Sequence, residues 1–194
     1  MKARKTVTVD ELLYAYSNGI FPMADETEHI YWYSPEVRAI IPLENYKPQK
    51  SLRSVLRKKT FEIRFNTCFE EVMRQCAKPR KEEGNGVWIS ENMIKTYTQL
   101  HQMGYAHSVE AFCDGKLAGG LYGVSLGKAF FGESMFTRVS NASKVAFHYL
   151  VETLKTNQFV LLDSQFINDN VKRYGAIEIP ASEFQELLEK ALKG

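Results

Sequence analysis

The sequence predicts an α+β protein, and three observations predict it. Two long runs of strand character, "AHSVEAFC" and "KLAGGLYGVSL", meet at Asp114-Gly115, the dipeptide of a tight hairpin, and a third, "KAFFGESMF", follows the turn "SLG". Apolar residues at helical spacing flank this meander on both sides. Capping boxes, Ser or Thr followed three residues on by Glu or Gln, stand at Thr8/Glu11, Thr67/Glu70 and Ser182/Gln185. Helix, antiparallel meander, helix and strand in that order is an α+β pattern.

The first helix opens at the Thr8 box and runs through "VDELLYAYS", with Leu12, Leu13 and Tyr16 on one face and Gly19 placed to stop it. A turn-rich "FPMADETEH" follows, and then "IYWYSPEVRAIIPL", in which Pro35 interrupts and Pro42 closes a strand "VRAII". "QKSLRSVLRKK" reads as a short basic helix. "FEIRF" alternates Phe61, Ile63 and Phe65 with Glu62 and Arg64, as a half-buried strand does, and the Thr67 box opens a helix "CFEEVMRQCA". "KPRKEEGNG" is a polar loop, and the nearest thing to a domain boundary lies there, around residues 78 to 86. A helix carrying Met93, Ile94, Tyr97 and Leu100 ends at Gly104, before the meander. Beyond the meander come a helix opening near Asn141 with Val145, Ala146, Tyr149 and Leu150 inside, a buried strand "FVLLD", and a last helix opened by the Ser182 box.

Composition narrows the function classes. Of 194 residues, 44% are hydrophobic and 25% charged, enough for one large domain or one plus a small one. A net charge of +2 argues for no polyanion by itself, so a nucleic-acid surface has to come from local clustering. Cys68, Cys76 and Cys113 form no C-x-x-C pair, which speaks against a disulfide framework or a zinc knuckle and for a reducing, cytoplasmic setting. Cys68 and Cys76, eight apart on one predicted helix, suit core packing. His29, His101, His107 and His148 have no metal-ligand spacing. No window of eighteen apolar residues occurs, and "MKARKTVTVDELL" carries no export signal, so a soluble protein with no membrane partner is expected.

Four groupings carry possible chemistry. In "FFGESMF", Glu133 stands among three phenylalanines and a methionine, where an ionised carboxylate is solvent-facing, paired, or part of a site. Lys50, Arg53, Arg57, Lys58 and Lys59 fall within ten residues, and the first three line one helix face; this is either a solvated face or one that tracks phosphates. Trp32 with Tyr31 and Tyr33, and Trp88 after a glycine-bearing loop, are core residues or platforms for a base. In "LLDSQFIND", Asp163, Ser164, Gln165, Asn168 and Asp169 gather at a strand end, where open sheets place ligands.

The element order resembles the acetyltransferase-like acyltransferase fold, whose meandering sheet splays open to hold an acyl donor. No R/Q-x-x-G-x-G/A pyrophosphate loop opens the helix at 141, so the donor is expected to be something other than coenzyme A.

The stretches "NGIFPM", "WYSPEVRAIIPL", "SLRSVLR", "GVWIS", "LHQMGYAHSVE", "GGLYGVSLGKAFFGESMFTR", "NASKVA", "LLDSQ" and "GAIEIP" together resemble the leucyl/phenylalanyl-tRNA protein transferases, in order, from about residue 10 to 185. That resemblance implies an aminoacyltransferase that moves Leu, Phe or Met from aminoacyl-tRNA to the N-terminal Arg or Lys of an acceptor protein, marking it for the Clp adaptor and protease. It implies no metal and no small-molecule cofactor. It also implies a small N-terminal α/β domain, residues 1–48, shortened at its start, and an acetyltransferase-like catalytic domain, residues 49–194.

Carried over residue by residue, the resemblance makes Glu133, Asp163 and Gln165 the catalytic polar group. It places Leu121, Phe130, Met135, Phe147, Leu150, Leu154 and Leu162 around the transferred side chain. Trp32, Trp88 and Asn168 fall beside the terminal adenosine, and Lys50, Arg53, Arg57, Lys58 and Lys59 on the surface that takes tRNA phosphates. Met23 stands where "GIFPW" is common in the family, and Ser164 where "DCQ" is frequent. In this reading Asp163, through Gln165, orients the attacking amine and helps it lose its proton as the tetrahedral intermediate forms, while Glu133 holds the aminoacyl end. Asp163, Glu133 and Asp169 are the candidates for meeting the basic acceptor terminus. The rivals are an acyl-CoA-dependent N-acyltransferase of the same fold and a non-catalytic module that binds tRNA or N-terminal peptides. Strict alternation would set Phe131, Glu133 and Met135 on one strand face and Phe130 on the other, whereas a pocket needs Phe130, Glu133 and Met135 together; a bulge at Gly132 would reconcile the two.

Overall fold

The computed structural model describes residues 4–78 and 88–194. The expected polar loop therefore falls almost wholly outside the described residues. The central feature is a seven-stranded mixed sheet. Its meander consists of β4 (Glu62–Phe65), β5 (Ala106–Cys113), β6 (Lys116–Leu126) and β7 (Ala129–Thr137), all antiparallel. Helix α5 (Ala142–Thr156) then crosses over to β8 (Leu161–Gln165), which lies parallel to β7. The order meander, helix, strand is the one the sequence predicts. On the far side β8 pairs with β3 (Val37–Ile40), and β3 with the edge strand β9 (Ile177–Pro180).

Helices cover both faces. One face carries α5 and the short basic α2 (Lys50–Lys58), which packs on it. There Leu121, Phe130, Phe147, Leu150, Leu154 and Leu162 share a core with Leu52 of α2. The other face carries α1 (Val9–Ser17), α3 (Phe69–Cys76), α4 (Glu91–Gln102) and α7 (Ala181–Lys193), whose Tyr16, Met73, Tyr97 and Leu188 pack on Tyr122 and Phe131 of the sheet. A separate hairpin of β1 (Phe21–Ala24) and β2 (Ile30–Tyr33) joins that face. Among the described residues no helix is long and apolar enough to cross a membrane.

Several local expectations are corrected. "FPMA" is a strand, not turn, because pairing with β2 supplies the hydrogen bonds that Pro22 does not by itself preclude. β9 and its partner positions escape a periodicity reading because three of its four residues are exposed at a sheet edge. Thr67 caps nothing: its hydroxyl donates to the buried Glu110 at 3.0 Å, and Cys68 takes the cap position of α3 without a side-chain bond. A carboxylate buried without donors costs more than an uncapped first turn, and Ser108 and Thr67 answer that carboxylate. Ser182 likewise lies inside α7, which starts at Ala181 behind Pro180. Tyr149, expected inside α5, is exposed. The Thr8/Glu11 box is present with both of its bonds.

The bulge is present. Opposite β7, Tyr122 faces Ser134 and Gly123 faces Gly132, which leaves Glu133 as the extra residue. The slip reverses the alternation, so Phe130 and Met135 serve the α5 face while Phe131 and Phe136 serve the other. Gly123 makes the crossing possible. A Cβ there would meet the Phe131 carbonyl oxygen at 2.3 Å and the Phe130 ring at 2.5 Å.

Gly123→Ala should accordingly lower stability by about 1–3 kcal/mol, through overpacking against backbone that cannot yield. Urea unfolding reads this directly; an unchanged midpoint would show that the bulge is not pinned by that contact.

Candidate active site

The parallel pairing of β7 with β8 lasts three residues, Ala129–Phe131 against Leu161–Asp163. Beyond it β8 continues alongside β3, with Ile40 opposite Asp163 and Ala39 opposite Gln165, while β7 bulges at Glu133. A cavity of about 550 Å³ opens at this fork, and Gly132, Glu133, Asp163 and Gln165 border it. The three polar side chains that the family resemblance brings together in sequence thus meet in space.

Their partners differ from the sequence expectation. Asp163, fully buried, receives both of its strong bonds from Arg38: Nε to Oδ1 at 2.9 Å and Nη2 to Oδ2 at 2.6 Å. The Arg38 guanidinium lies between the rings of Phe21 and Phe184, at 4.6 and 4.5 Å from their centroids, and Nη1 donates to the Gly19 carbonyl at 2.8 Å. Removing either partner of such a pair leaves an unanswered buried charge, which costs about 3–5 kcal/mol. Asp163 Oδ1 also accepts the backbone N–H of Gln165 at 2.9 Å, and this local bond holds Gln165 at φ +59°, a region non-glycine residues rarely occupy. The link therefore runs from the Asp163 side chain to the Gln165 backbone and not to the Gln165 side chain. Held in that conformation, the Gln165 side chain donates Nε2–H to Glu133 Oε1 at 3.0 Å.

Glu133 is answered on one oxygen only. The Tyr16 hydroxyl also donates to Oε1, at 2.7 Å, and Tyr97 in turn bonds the Tyr16 hydroxyl. Among the described residues Oε2 receives no hydrogen bond. Burial pushes the Glu133 carboxyl up to about 8, the Tyr16 and Gln165 bonds opposing that shift and the charge of Asp163 adding to it. Burial and the nearby Glu133 charge push both tyrosines well above the ordinary phenol value, so they act as neutral donors. The Tyr122 hydroxyl, at the cavity wall, is buried without a partner among the described residues.

Leu121, Met135, Phe147, Leu150 and Leu162, all of the cluster on the α5 face, form an apolar part of the cavity wall. Phe130 and Leu154 lie behind that wall, buried in the same cluster. Trp88 also borders the cavity, and its carbonyl accepts from Ala24 N–H, tying it to β1. Trp32 does not border the cavity. It sits half-buried on β2, and it is β1, through Phe21, Pro22 and Met23, that forms the wall. Asn168 and Asp169 stand at the rim, where Asn168 Oδ1 caps the short α6 (Asp169–Lys172) by accepting from Asn170 and Val171 N–H. Lys50, Arg53, Arg57, Lys58 and Lys59 are all exposed on or just past α2, away from the cavity wall. Among the described residues no group of His, Cys, Asp and Glu has the arrangement of a metal site.

Arg38, Tyr16, Tyr97, Tyr122, Ile41 and Tyr174 also shape the site and were not singled out in the sequence as site residues. Arg38 carried a signal: a charged residue within an otherwise apolar "VRAII" is solvent-facing, or buried and paired. Tyr16 and Tyr97 looked like core, and they are, apart from the hydroxyls.

Two family models match the chain: Leucyl/phenylalanyl-tRNA protein transferase over residues 40–189, and the N-terminal domain of the same description over residues 6–36. The chain is 50% identical over 187 residues to the leucyl/phenylalanyl-tRNA--protein transferase of Chlorobaculum tepidum, covering 96% of each chain. It is 50% identical to the protein of the same name in Gloeobacter violaceus, covering 96% of this chain and 95% of that one. Among solved structures it is similar to a ribosomal-protein-alanine N-acetyltransferase from Brucella melitensis, at 14% identity and a TM-score of 0.40, over 58% of this chain and 86% of that one.

A carboxyl raised by burial ties stability to pH. Between the ordinary carboxyl value, about 4.5, and about 8, the folded chain keeps a proton on Glu133 that the unfolded chain has lost, so stability falls as pH rises through that window. The slope is at most about 1.4 kcal/mol per pH unit, and smaller because Glu133 is partly open to the cavity. Glu133→Gln should remove this contribution and flatten the pH profile of the denaturation midpoint between pH 5 and 8; parallel wild-type and variant profiles would contradict the assignment.

Proposed function

Because the chain belongs to the leucyl/phenylalanyl-tRNA protein transferase family, we propose that it moves Leu, Phe or Met from aminoacyl-tRNA to the N-terminal Arg or Lys of acceptor proteins. The single observation that supports the reading best is the fork itself: one cavity lined both by the apolar Leu121, Met135, Phe147, Leu150 and Leu162 and by the polar Glu133, Asp163 and Gln165. An aminoacyl ester has both characters, an apolar side chain and a reacting carbonyl.

In this proposal the transferred side chain enters between Leu121, Met135, Phe147, Leu150 and Leu162, with Phe130 and Leu154 fixing the wall from behind. Trp88 and Asn168 flank the terminal adenosine, and Met23 takes the wall position that Trp32 does not reach. A side chain unbranched at Cβ threads a narrow apolar neck, whereas Ile or Val brings bulk there. Discrimination of one methylene is worth about 1–3 kcal/mol, so rejection of Ile is partial.

The acceptor α-amine, with an ordinary pKa of about 8, attacks the ester carbonyl. A C–N bond forms, the ester C–O bond breaks, and the tRNA 3′-oxygen leaves. Glu133 is the group we assign to the proton. Its value of about 8 matches that of the amine, and its free Oε2 faces neither Tyr16 nor Gln165, so it takes the amine proton and returns one to the 3′-oxygen. Gln165 positions the amine through its carbonyl, which its own Nε2–H bond to Glu133 leaves open. Asp163, whose charge Arg38 already answers, holds Gln165 in place rather than accepting the proton. The unpartnered Tyr122 hydroxyl is a neutral donor available to the developing oxyanion. Asp169, exposed at the rim, is the carboxylate free to meet the basic acceptor side chain. Phosphates along the tRNA follow the exposed face of α2, and the modified protein passes to the Clp adaptor and protease.

Transfer of labelled Leu from Leu-tRNA to an Arg-ending peptide tests this. Glu133→Gln should lower kcat by about 10²-fold or more while KM for the tRNA changes little. Tyr16→Phe removes a bond that holds the Glu133 value down, so its rate profile should shift to higher pH. A wild-type rate in Glu133→Gln would sink the assignment, and an unshifted Tyr16→Phe profile would remove Tyr16 from the proton chemistry.

A further inference from the structure

A second, smaller hollow of about 30 Å³ adjoins the cavity, and Asn170 and Tyr174 border both. Its volume suits one or two anionic oxygens rather than a side chain. Three cations from separate parts of the chain frame it: Lys47 ahead of α2, Lys144 in the first turn of α5, and Arg173 just past α6. Like charges gathered round one hollow repel one another, and among the described residues none of the three is paired with a carboxylate. Lys144 Nζ has only the Asn141 side-chain oxygen, at 3.4 Å. The acid whose charge reaches Tyr46, Glu152, is paired with Lys155 at 3.7 Å. Tyr46, another wall residue, is 5% exposed, and its hydroxyl is buried with no partner among the described residues. A buried hydroxyl left in this way beside unpaired cations is a donor without an acceptor.

We propose that this hollow is a phosphate subsite, and that it takes the phosphodiester on the 5′ side of the terminal adenosine. The inference rests on the functional reading above. Three observations select a nucleic-acid phosphate. The ligand chemistry is anionic, with Lys and Arg as the donors. The hollow and the cavity share Asn170 and Tyr174 as wall residues, so the two are neighbours. Gln49 and Leu52 at the start of α2 form another part of its wall, which sets the hollow beside the helix that carries Lys50, Arg53 and Arg57. The Gln49 side chain also donates to the Arg173 carbonyl at 3.3 Å, tying α2 to the segment that carries Arg173.

The test uses two minimal donors, 3′-O-leucyl-adenosine and its 5′-phosphate, with an Arg-ending peptide. For the wild-type chain the 5′-phosphate should lower KM by about tenfold, the worth of one charge-assisted contact. In Lys144→Ala/Arg173→Ala the ratio of the two KM values should approach one. Equal KM values in the wild type, or a tenfold ratio retained in the double variant, would overturn the proposal. A binding arm reads the same subsite without turnover: adenosine 5′-phosphate should bind the wild type about tenfold more tightly than adenosine, and the double variant should bind both alike. Should the wild type transfer leucine from neither donor, the functional reading fails, and the binding arm still decides the phosphate subsite. Matching thermal unfolding of variant and wild type confirms that charge, not folding, was removed.

Discussion

The Arg38–Asp163 ion pair is the constraint on which the site depends. It joins β3 to β8 through their side chains as well as their backbones, and through the Gly19 carbonyl it anchors the end of α1 to the same point. A bidentate guanidinium–carboxylate pair sandwiched by two rings is fully satisfied only in one geometry. With Asp163 held in that way, its Oδ1 takes the Gln165 N–H and turns the chain into a left-handed residue just where β8 ends. The side chain of Gln165 is consequently aimed across the fork at Glu133, not along the strand.

The bulge in β7 supplies the other half. An extra residue in one strand re-aims a side chain without breaking the sheet, and here the residue re-aimed is Glu133. Its bonds to Tyr16 and Gln165 converge on one oxygen, from the two sides of the fork. Desolvation outweighs those bonds, so the carboxyl is poised near neutrality. A group of this kind accepts and returns a proton with little change in free energy, the property that the proposed role in proton transfer needs. Cavity, bulge and ion pair are thus one arrangement: the pair fixes Gln165, Gln165 and Tyr16 fix Glu133, and Glu133 borders the cavity.

What the sequence made legible follows from range. Local signals survived: the Thr8 box, the Asp114-Gly115 hairpin, the meander, and even the conflict of alternation that pointed to a bulge at Gly132. Signals set by distant partners did not. Thr67 and Glu70 had the spacing of a box, but the buried Glu110 on a neighbouring strand outbid the helix for the Thr67 hydroxyl. β9 and β1 are short, and their pairing partners, not their composition, make them strands. Resemblance brought Glu133, Asp163 and Gln165 together, yet Arg38 stayed hidden inside "VRAII" because its partner lies 125 residues away. Trp32 and Met23 show the same limit: the sequence points to Trp32 as the candidate and to Met23 only as a departure from the family pattern, whereas it is Met23, on the neighbouring strand of the hairpin, that borders the cavity.

The central claim is that burial poises the Glu133 carboxyl near neutrality at the fork. The most direct measurement is a carbon-13 NMR titration of the glutamate side-chain carboxyls, with the Glu133 signal assigned from its loss in Glu133→Gln. That signal should show a midpoint near 8. A midpoint in the ordinary range, about 4.5, would contradict it.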